Sequence, residues 1–318
     1  MSATPSTAVL LLAHGSPDSP ADVPEFLRSV TGGRPLPQAV MEEIQHRYAA
    51  IGRSPLTAIT LQQGRALSEV LKMAVYVGMR NWKPFITHAV GQMTDAGVTR
   101  AVGICLAPQN SRTSVGLYRR AAEEAAAGRM ELDFVESWHD HPLLIRAFAE
   151  KLEAGWKHAC AEGGATVPVI FTAHSVPERT IAEGDPYAQQ ARETAAMVAM
   201  QVPSLTMDDW AFAFQSQGMS GGPWLGPTVE ETIRALKDKR HTGVFLQPIG
   251  FVCDHVEVLY DIDIGFREFA QKHGMRLWRA ESLNDSPTFI AALADVVRSR
   301  LTPGEETRPN IVQISGIQ

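Results

Sequence analysis

Apolar runs closed by turn-forming residues recur along the chain, and two of them end alike. Val169-Ile-Phe-Thr-Ala-His-Ser-Val-Pro-Glu178 drives a β-branched, aromatic run into a histidine, a serine and a proline. That pattern predicts a buried strand of a parallel sheet stopped at a turn, with His174 the first polar side chain beyond it. Ala8-Val-Leu-Leu-Leu-Ala-His-Gly-Ser-Pro17 has the same form half a chain earlier. A weaker echo links Ala101-Val-Gly-Ile-Cys-Leu-Ala-Pro108 with Val244-Phe-Leu-Gln-Pro248, both stopped by proline. Strand-edge signatures repeated at that separation predict two similar α/β halves.

Between these runs the apolar positions shift to a helical period. Val40, Met41, Ile44 and Tyr48 predict a helix over Gln38 to Ala50, and Phe85, Ile86, Ala89, Val90 and Met93 one over Lys83 to Ala96. Further helices are expected over Ser114 to Ala127, from Pro142 to about Cys160, over Ala188 to Val202 and over Thr288 to Leu301, followed by a polar tail. Leu132 to Val135 and Ala211 to Phe214 read as strands, the latter running into Gln215-Ser216-Gln217-Gly218. The stretch Gly218 to Pro227 holds four glycines, two prolines and Trp224, which predicts irregular structure. It matches neither a dinucleotide nor a P-loop pattern, and Thr228 with Glu231 predicts a capping box for the helix that follows.

Composition narrows the class of function. A chain of 318 residues, 45% hydrophobic and 20% charged, suits one large or two medium soluble globular domains. A net charge of −6 with no basic cluster argues against nucleic acid and against anionic lipid. Cys105, Cys160 and Cys253 are scattered and odd in number, which fits a reducing cytoplasm better than a disulfide framework or a metal knuckle. No stretch has the length of a membrane helix. The apolar run Ala8 to Ala13 has no basic residue before it and reads as a first strand, not a signal peptide.

The candidate chemistry lies in Pro248-Ile-Gly-Phe-Val-Cys-Asp-His-Val-Glu-Val-Leu-Tyr-Asp261. On a helix Asp254, Glu257 and Asp261 would share one face. Three carboxylates on one stripe need a cation, a proton relay or solvent, and the apolar neighbours Phe251, Val252, Val256, Val258 and Leu259 disfavour plain solvent. Cys253 and His255 lack the spacing of a structural zinc site. In a parallel sheet the edges after Thr172 and Gln247 open onto the same face, so His174 and Glu257 can meet in one crevice. An imidazole with a carboxylate can receive a divalent cation such as Fe²⁺ or accept a proton, and the pattern leaves both roles open. Ser175, outside a G-x-S-x-G elbow, makes no convincing triad.

The motifs Ala13-His-Gly-Ser-Pro17, Arg47-Tyr48, Ser54-Pro-Leu56, Leu106-Ala-Pro108, Thr172-Ala-His-Ser-Val-Pro-Glu178, Gly184-Asp-Pro-Tyr187, Pro223-Trp-Leu-Gly-Pro227 and Pro248 to Asp261 resemble the ferrochelatase family along almost the whole chain. We read no targeting peptide, membrane-binding lip or cysteine-rich tail, so the chain is most similar to the soluble bacterial coproporphyrin ferrochelatases. The resemblance implies two Rossmann-like domains, each a mostly parallel sheet flanked by helices, with a porphyrin cleft between. We expect them over residues 1–137 and 138–285, the second carrying the metal-side residues, with a C-terminal helix over 286–302 packing back onto the first. It implies that His174 and Glu257 stand at the iron side and that Asp261 serves metal delivery or proton removal. It places Arg47, Tyr48, Ser54 and Tyr118 against the porphyrin and its propionates, and the Trp224 loop at the cleft wall.

Two positions depart from the pattern. His14 stands where the coproporphyrin type commonly has tyrosine, so an imidazole becomes the expected axial ligand to product iron. Thr31-Gly32 stands where the family often has a basic pair before Gly33-Arg34, so the resemblance does not carry one of the propionate contacts over to this chain. The implied reaction is insertion of Fe²⁺, as substrate, into coproporphyrin III to give Fe-coproporphyrin in haem biosynthesis, with no cofactor required. A cytoplasmic monomer, with at most transient contacts to neighbouring pathway enzymes, is expected. The competing readings are a protoporphyrin IX ferrochelatase, a cobalt or sirohydrochlorin chelatase, and a haem or porphyrin carrier without catalysis.

Overall fold

Residue pairing in the computed structural model, which describes residues 6–217 and 222–301, turns the apolar runs into two parallel sheets. Contacts divide the chain into one unit that ends at Trp138 and resumes at Asn284, and a second unit, His139–Leu283.

In the first unit β1 (Thr7–Ala13), β2 (Val75–Met79), β3 (Arg100–Cys105) and β4 (Glu131–Val135) pair in the order β2-β1-β3-β4. Every residue of β1 after Thr7 is buried, as expected of a strand covered on both faces. The helices are α1 (Val23–Val30), α2 (Gln38–Ala50), α3 (Leu56–Leu71), α4 (Ile86–Asp95) and α5 (Val115–Ala126). Val90 and Met93 of α4 and Ala122 of α5 pack with Leu10 and Leu12 of β1. On α3 a Cβ added at Gly64 would fall 2.8 Å from Val77 Cγ2, so only glycine lets this helix approach β2 so closely. The predicted start at Lys83 gives way to Ile86, because Phe85 is extended and the Pro84 carbonyl accepts from Met79 N–H at 2.7 Å.

The second unit begins with α6 (Pro142–Gly163), closed by Gly164 in the left-handed region with its N–H on the Cys160 carbonyl. Then follow β5 (Val169–His174), α7 (Glu178–Ala182), α8 (Tyr187–Met200), β6 (Trp210–Gln215), α9 (Val229–Asp238), β7 (Gly243–Pro248), α10 (Val256–Leu259) and a π-helical segment, Asp261–Phe266. After them come α11 (Arg267–Lys272) and β8 (Arg276–Arg279). The predicted capping box opens α9: Thr228 Oγ1 accepts from Glu231 N–H at 3.1 Å, and Glu231 Oε2 from Thr228 N–H at 2.8 Å. The last helix, α12 (Pro287–Arg298), packs against α3. Residues 218–221 of the glycine-rich loop and the tail from 302 lie outside the described residues.

The second sheet has the order β6-β5-β7-β8, so each sheet places its first strand second and its third strand third. The echo between the histidine-ended runs is therefore an echo between β1 and β5, and the proline-stopped pair is β3 and β7. In both units the chain leaves the first strand to one side and returns on the other. That makes the carboxyl ends of β1 and β5 topological switch points, where open α/β sheets bind ligands. Among the described residues no helix is long and apolar enough to cross a membrane.

Candidate active site

His174 ends β5, flanked by β6 on one side and β7 on the other. Beyond β7 the chain turns straight back over it. Ile249 and Gly250 both donate backbone N–H to the Thr172 carbonyl, and a Cβ on Gly250 would fall 2.9 Å from Ala173 Cβ. This close approach delivers the β7–α10 connection and the start of α10 to the edge where His174 stands.

Three side chains meet there. His174 Nδ1 donates to the Ser175 carbonyl at 2.5 Å, which turns Nε2 toward Glu257 Oε1, 3.3 Å away. His255 repeats this: Nδ1 donates to the Cys253 carbonyl at 3.0 Å and Nε2 lies 3.3 Å from Glu257 Oε2. One carboxylate thus faces two imidazoles, one on each oxygen, with the Phe251 ring edge-on to both. Glu257 and His174 remain 34% and 32% exposed, enough for a substrate or a proton to reach them.

The electrostatics follow from this packing. Enclosure by protein would lower the His174 pKa, but the Glu257 charge and hydrogen bond, aided by the Ser175 carbonyl and Asp261, more than offset it and hold it above the ordinary 6.5. Enclosure would raise Glu257, yet the charge and hydrogen bond of His174, and then His255, hold it well below the ordinary 4.5. The two directions agree: each group favours the charged form of the other. Burial also pushes the Tyr187 phenol up, with the Glu257 charge adding to it.

Asp261 opens the π-helical segment and accepts from Ser216 Oγ at 2.5 Å. Ser216 has φ +59, a left-handed conformation costly for a non-glycine residue, and its neighbour Gln215 donates Nε2 to the Glu257 carbonyl at 3.1 Å. The expected three-carboxylate stripe does not form. Asp254 precedes α10, where it accepts from Ser282 Oγ at 2.7 Å and lies 3.5 Å from Arg279 Nη1. The apolar residues around it belong to the covering loop and α10, so the helical spacing that suggested a stripe holds only for Glu257 and Asp261.

Ser175 is fully buried and donates Oγ to the Leu225 carbonyl, a structural tie. Trp224 bridges antiparallel to Pro177, and Glu178 N–H and the Pro223 carbonyl bond beside it, so this part of the loop is fixed to the turn after β5. Burial pushes the Cys253 thiol up to about 12, which makes it a poor thiolate ligand. Among the described residues no group of three or more His, Cys, Asp and Glu is arranged to hold a metal ion.

In the first unit His14 immediately follows β1 and is exposed. Its Nδ1 donates to the Gly15 carbonyl at 2.9 Å and its Nε2 accepts from Asn81 Nδ2 at 2.9 Å. Gly15 has φ +84, and a Cβ there would fall 2.7 Å from Trp82 Cβ, so the turn requires glycine. Phe26 touches the rings of His14, Tyr48 and Trp82 edge to face. Tyr48, Ser54 and Tyr118 are nearly buried: the Tyr48 hydroxyl accepts from Ser16, Ser54 Oγ from Leu56 N–H, and the Arg80 guanidinium lies over the Tyr118 ring. Arg47 is paired with Glu43 one turn back at 2.9 Å. Thr31 and Arg34 bond each other across their own turn. Sequence reasoning did not single out His255, Ser216 or Asn81 as site residues. His255 stood two positions from Glu257, whereas nothing in the sequence signalled Ser216 or Asn81.

Residues 6–301 match the ferrochelatase family model. A curated relative from Acidobacterium capsulatum, named Ferrochelatase, is 56% identical, with 95% of this chain and 98% of that one covered. One from Geobacillus sp. (strain WCH70), named Coproporphyrin III ferrochelatase, is 36% identical, covering 92% of this chain and 97% of its own. The solved structure of SirB from Bacillus subtilis with Fe3+ has the same fold at TM-score 0.56 and 11% identity, covering 92% of this chain and 95% of that one. With a family model spanning both sheets and relatives aligned nearly end to end, the chain belongs to the ferrochelatase family.

Proposed function

We propose that this chain inserts Fe²⁺ into coproporphyrin III, giving Fe-coproporphyrin in the cytoplasm, with the iron as substrate and no organic cofactor. The observation that carries the reading is the His174–Glu257–His255 array at the switch-point edge of β5. Insertion releases two pyrrole N–H protons as the metal enters, so the site needs a proton acceptor and a route away from it. Neutral His174 accepts at Nε2, Glu257 balances the imidazolium that results, and His255 and Asp261 lead the charge to water. The proton transfer is acid–base chemistry alone, and no redox step is required.

Arg47 suits a propionate because a guanidinium binds a carboxylate through two parallel donors, and Glu43 is displaced when it does so. Tyr48, Ser54 and Tyr118 supply wall and polar edge to the macrocycle, and Trp224 an apolar face. Coproporphyrin is favoured over protoporphyrin IX by the relatives that carry that name at 36% identity over most of both chains.

The test is anaerobic addition of Fe²⁺ to purified protein with coproporphyrin III or protoporphyrin IX, followed by Soret absorption. Metallation of coproporphyrin III with a higher kcat/KM is the expected result. Faster metallation of protoporphyrin IX would overturn the substrate assignment. Tight porphyrin binding with no metallation of either would leave a carrier.

A further inference from the structure

Arg279 ends β8 with its side chain 13% exposed. Its fork grips Asp263 twice, Nε to Oδ1 at 2.8 Å and Nη2 to Oδ2 at 2.9 Å. Nη1 donates to the Ala280 carbonyl at 2.8 Å and lies 3.5 Å from Asp254 Oδ1, the same oxygen that accepts from Ser282. Asp254 immediately precedes His255, and Asp263 follows Asp261 by two residues. One guanidinium therefore holds both ends of the span that carries His255, Glu257 and Asp261.

That span needs outside anchors. It consists of the four-residue α10 and a π-helical segment, in which Gly265 N–H reaches back to the Tyr260 carbonyl at 2.9 Å. Neither is long enough to be stable alone. On the strand side Val258 and Ile262 pack into the core with Ile170, Ala213 and Leu246, while the polar face that carries Glu257 and Asp261 receives single bonds from Gln215 and Ser216. On the far side the planar fork of Arg279 supplies fixed donors in a geometry that an ammonium group cannot reproduce. A misplacement of Glu257 by about 1 Å at such a site is enough to cost about a hundredfold in rate.

We propose that Arg279 is a positioning residue: by pinning Asp254 and Asp263 to the end of β8 it fixes Glu257 and His255 against His174, and it serves the insertion step without touching the porphyrin. The proposal rests on the function proposed above. Three variants test it, Arg279→Met, Arg279→Lys and Asp263→Asn, with hydrogen–deuterium exchange, porphyrin affinity by fluorescence quenching, and kcat for Fe²⁺ insertion. For Arg279→Met exchange rises within residues 253–266 alone, kcat falls at least about tenfold and porphyrin affinity stays within about twofold. Arg279→Lys recovers only part of the loss, since one ammonium cannot fork both Asp263 oxygens while reaching Asp254.

A kcat within about twofold of wild type in Arg279→Met would overturn the proposal. So would faster exchange throughout the second unit, which marks a general loss of stability. If the Arg279 variants fail to fold, Asp263→Asn, nearly unchanged in volume, reads the same span. Absence of insertion by the wild type would instead remove the functional reading, and the local exchange would still decide whether Arg279 holds the span.

Discussion

His14 and His174 occupy the same place in two sheets of the same topology, and each donates Nδ1–H to the carbonyl of the residue after it. The strand end thus aims both rings in the same manner. What the second nitrogen meets differs. Nε2 of His14 accepts from the Asn81 amide, whereas Nε2 of His174 faces a carboxylate that also holds His255. The first arrangement satisfies a neutral imidazole, and the second attracts a proton. The source of the difference is the segment after the third strand. Following β3 it runs Leu106-Ala-Pro-Gln-Asn-Ser-Arg-Thr-Ser114 with no acidic residue, and following β7 it brings Asp254, Glu257 and Asp261. The fold supplies orientation twice, and one connection supplies the chemistry once.

The largest effect expected from this contrast is on rate. Replacing His174 with alanine removes the proposed proton acceptor and lowers kcat by about 10²- to 10⁴-fold, the usual range for general acid–base groups, with initial insertion rates as the readout. His14→Ala changes kcat by a few-fold only. Equal losses at the two positions would break the comparison.

Glu257→Gln comes next, and the sign can be worked out. The carboxylate is the chief cause that holds His174 above 6.5 against an enclosure that acts the other way, so the glutamine variant lowers it. Neutral His174 is the acceptor, so activity rises with pH through its pKa, and the acid limb of the kcat profile moves to lower pH in the variant. Stability follows the same pair. The raised His174 contributes fully below its unfolded value near 6.5 and loses the contribution as pH rises through the folded value. The lowered Glu257 contributes above its unfolded value near 4.5 and loses it as pH falls through the folded one. The melting-temperature gap between wild type and Glu257→Gln is therefore widest between those two values and narrows on the alkaline side. Both groups are about a third exposed, so solvent screening keeps the gap small. A gap that widens toward alkaline pH would contradict the charged pair.

Some of this was legible in the sequence for identifiable reasons. β1, β5 and β7 are buried on both faces and read as unbroken apolar runs closed by turn residues. His174 and Glu257 could be brought together because parallel strands open on one edge. Other elements left little signal. The buried side of α3 includes Thr60, Gln63, Gly64 and Ser68, which blurs the helical period. β2 is short and mostly half-buried, and β8 is a four-residue edge strand that begins and ends in arginine. The acidic stripe misled because the spacing of Asp254, Glu257 and Asp261 assumed a helix beginning three residues earlier than Glu257, while Asp254 still lies in the connection before α10 and turns to Ser282 and Arg279. Asn81 and Ser216 each lie two residues past a strand residue paired beside Ala13 or Ala173, and only the pairing reveals that they are counterparts.

The smallest predicted effect tests whether His14 binds the product iron. Its Nε2 is held by Asn81, which is 3% exposed, so ligation must first break a hydrogen bond of about 0.5 to 1.5 kcal/mol net. Asn81→Ala removes that competitor and should tighten Fe-coproporphyrin binding by roughly two- to tenfold, with a stronger axial-imidazole signature in the haem spectrum. His14→Ala should lose that signature, and in its background Asn81→Ala should have no further effect if Asn81 acts on the iron through the imidazole. Four dissociation constants, from wild type, both single variants and the double variant, close the cycle. If Asn81→Ala tightens product binding equally with and without His14, the amide acts by crowding the ring, and the first-unit histidine orients the strand turn without ligating metal.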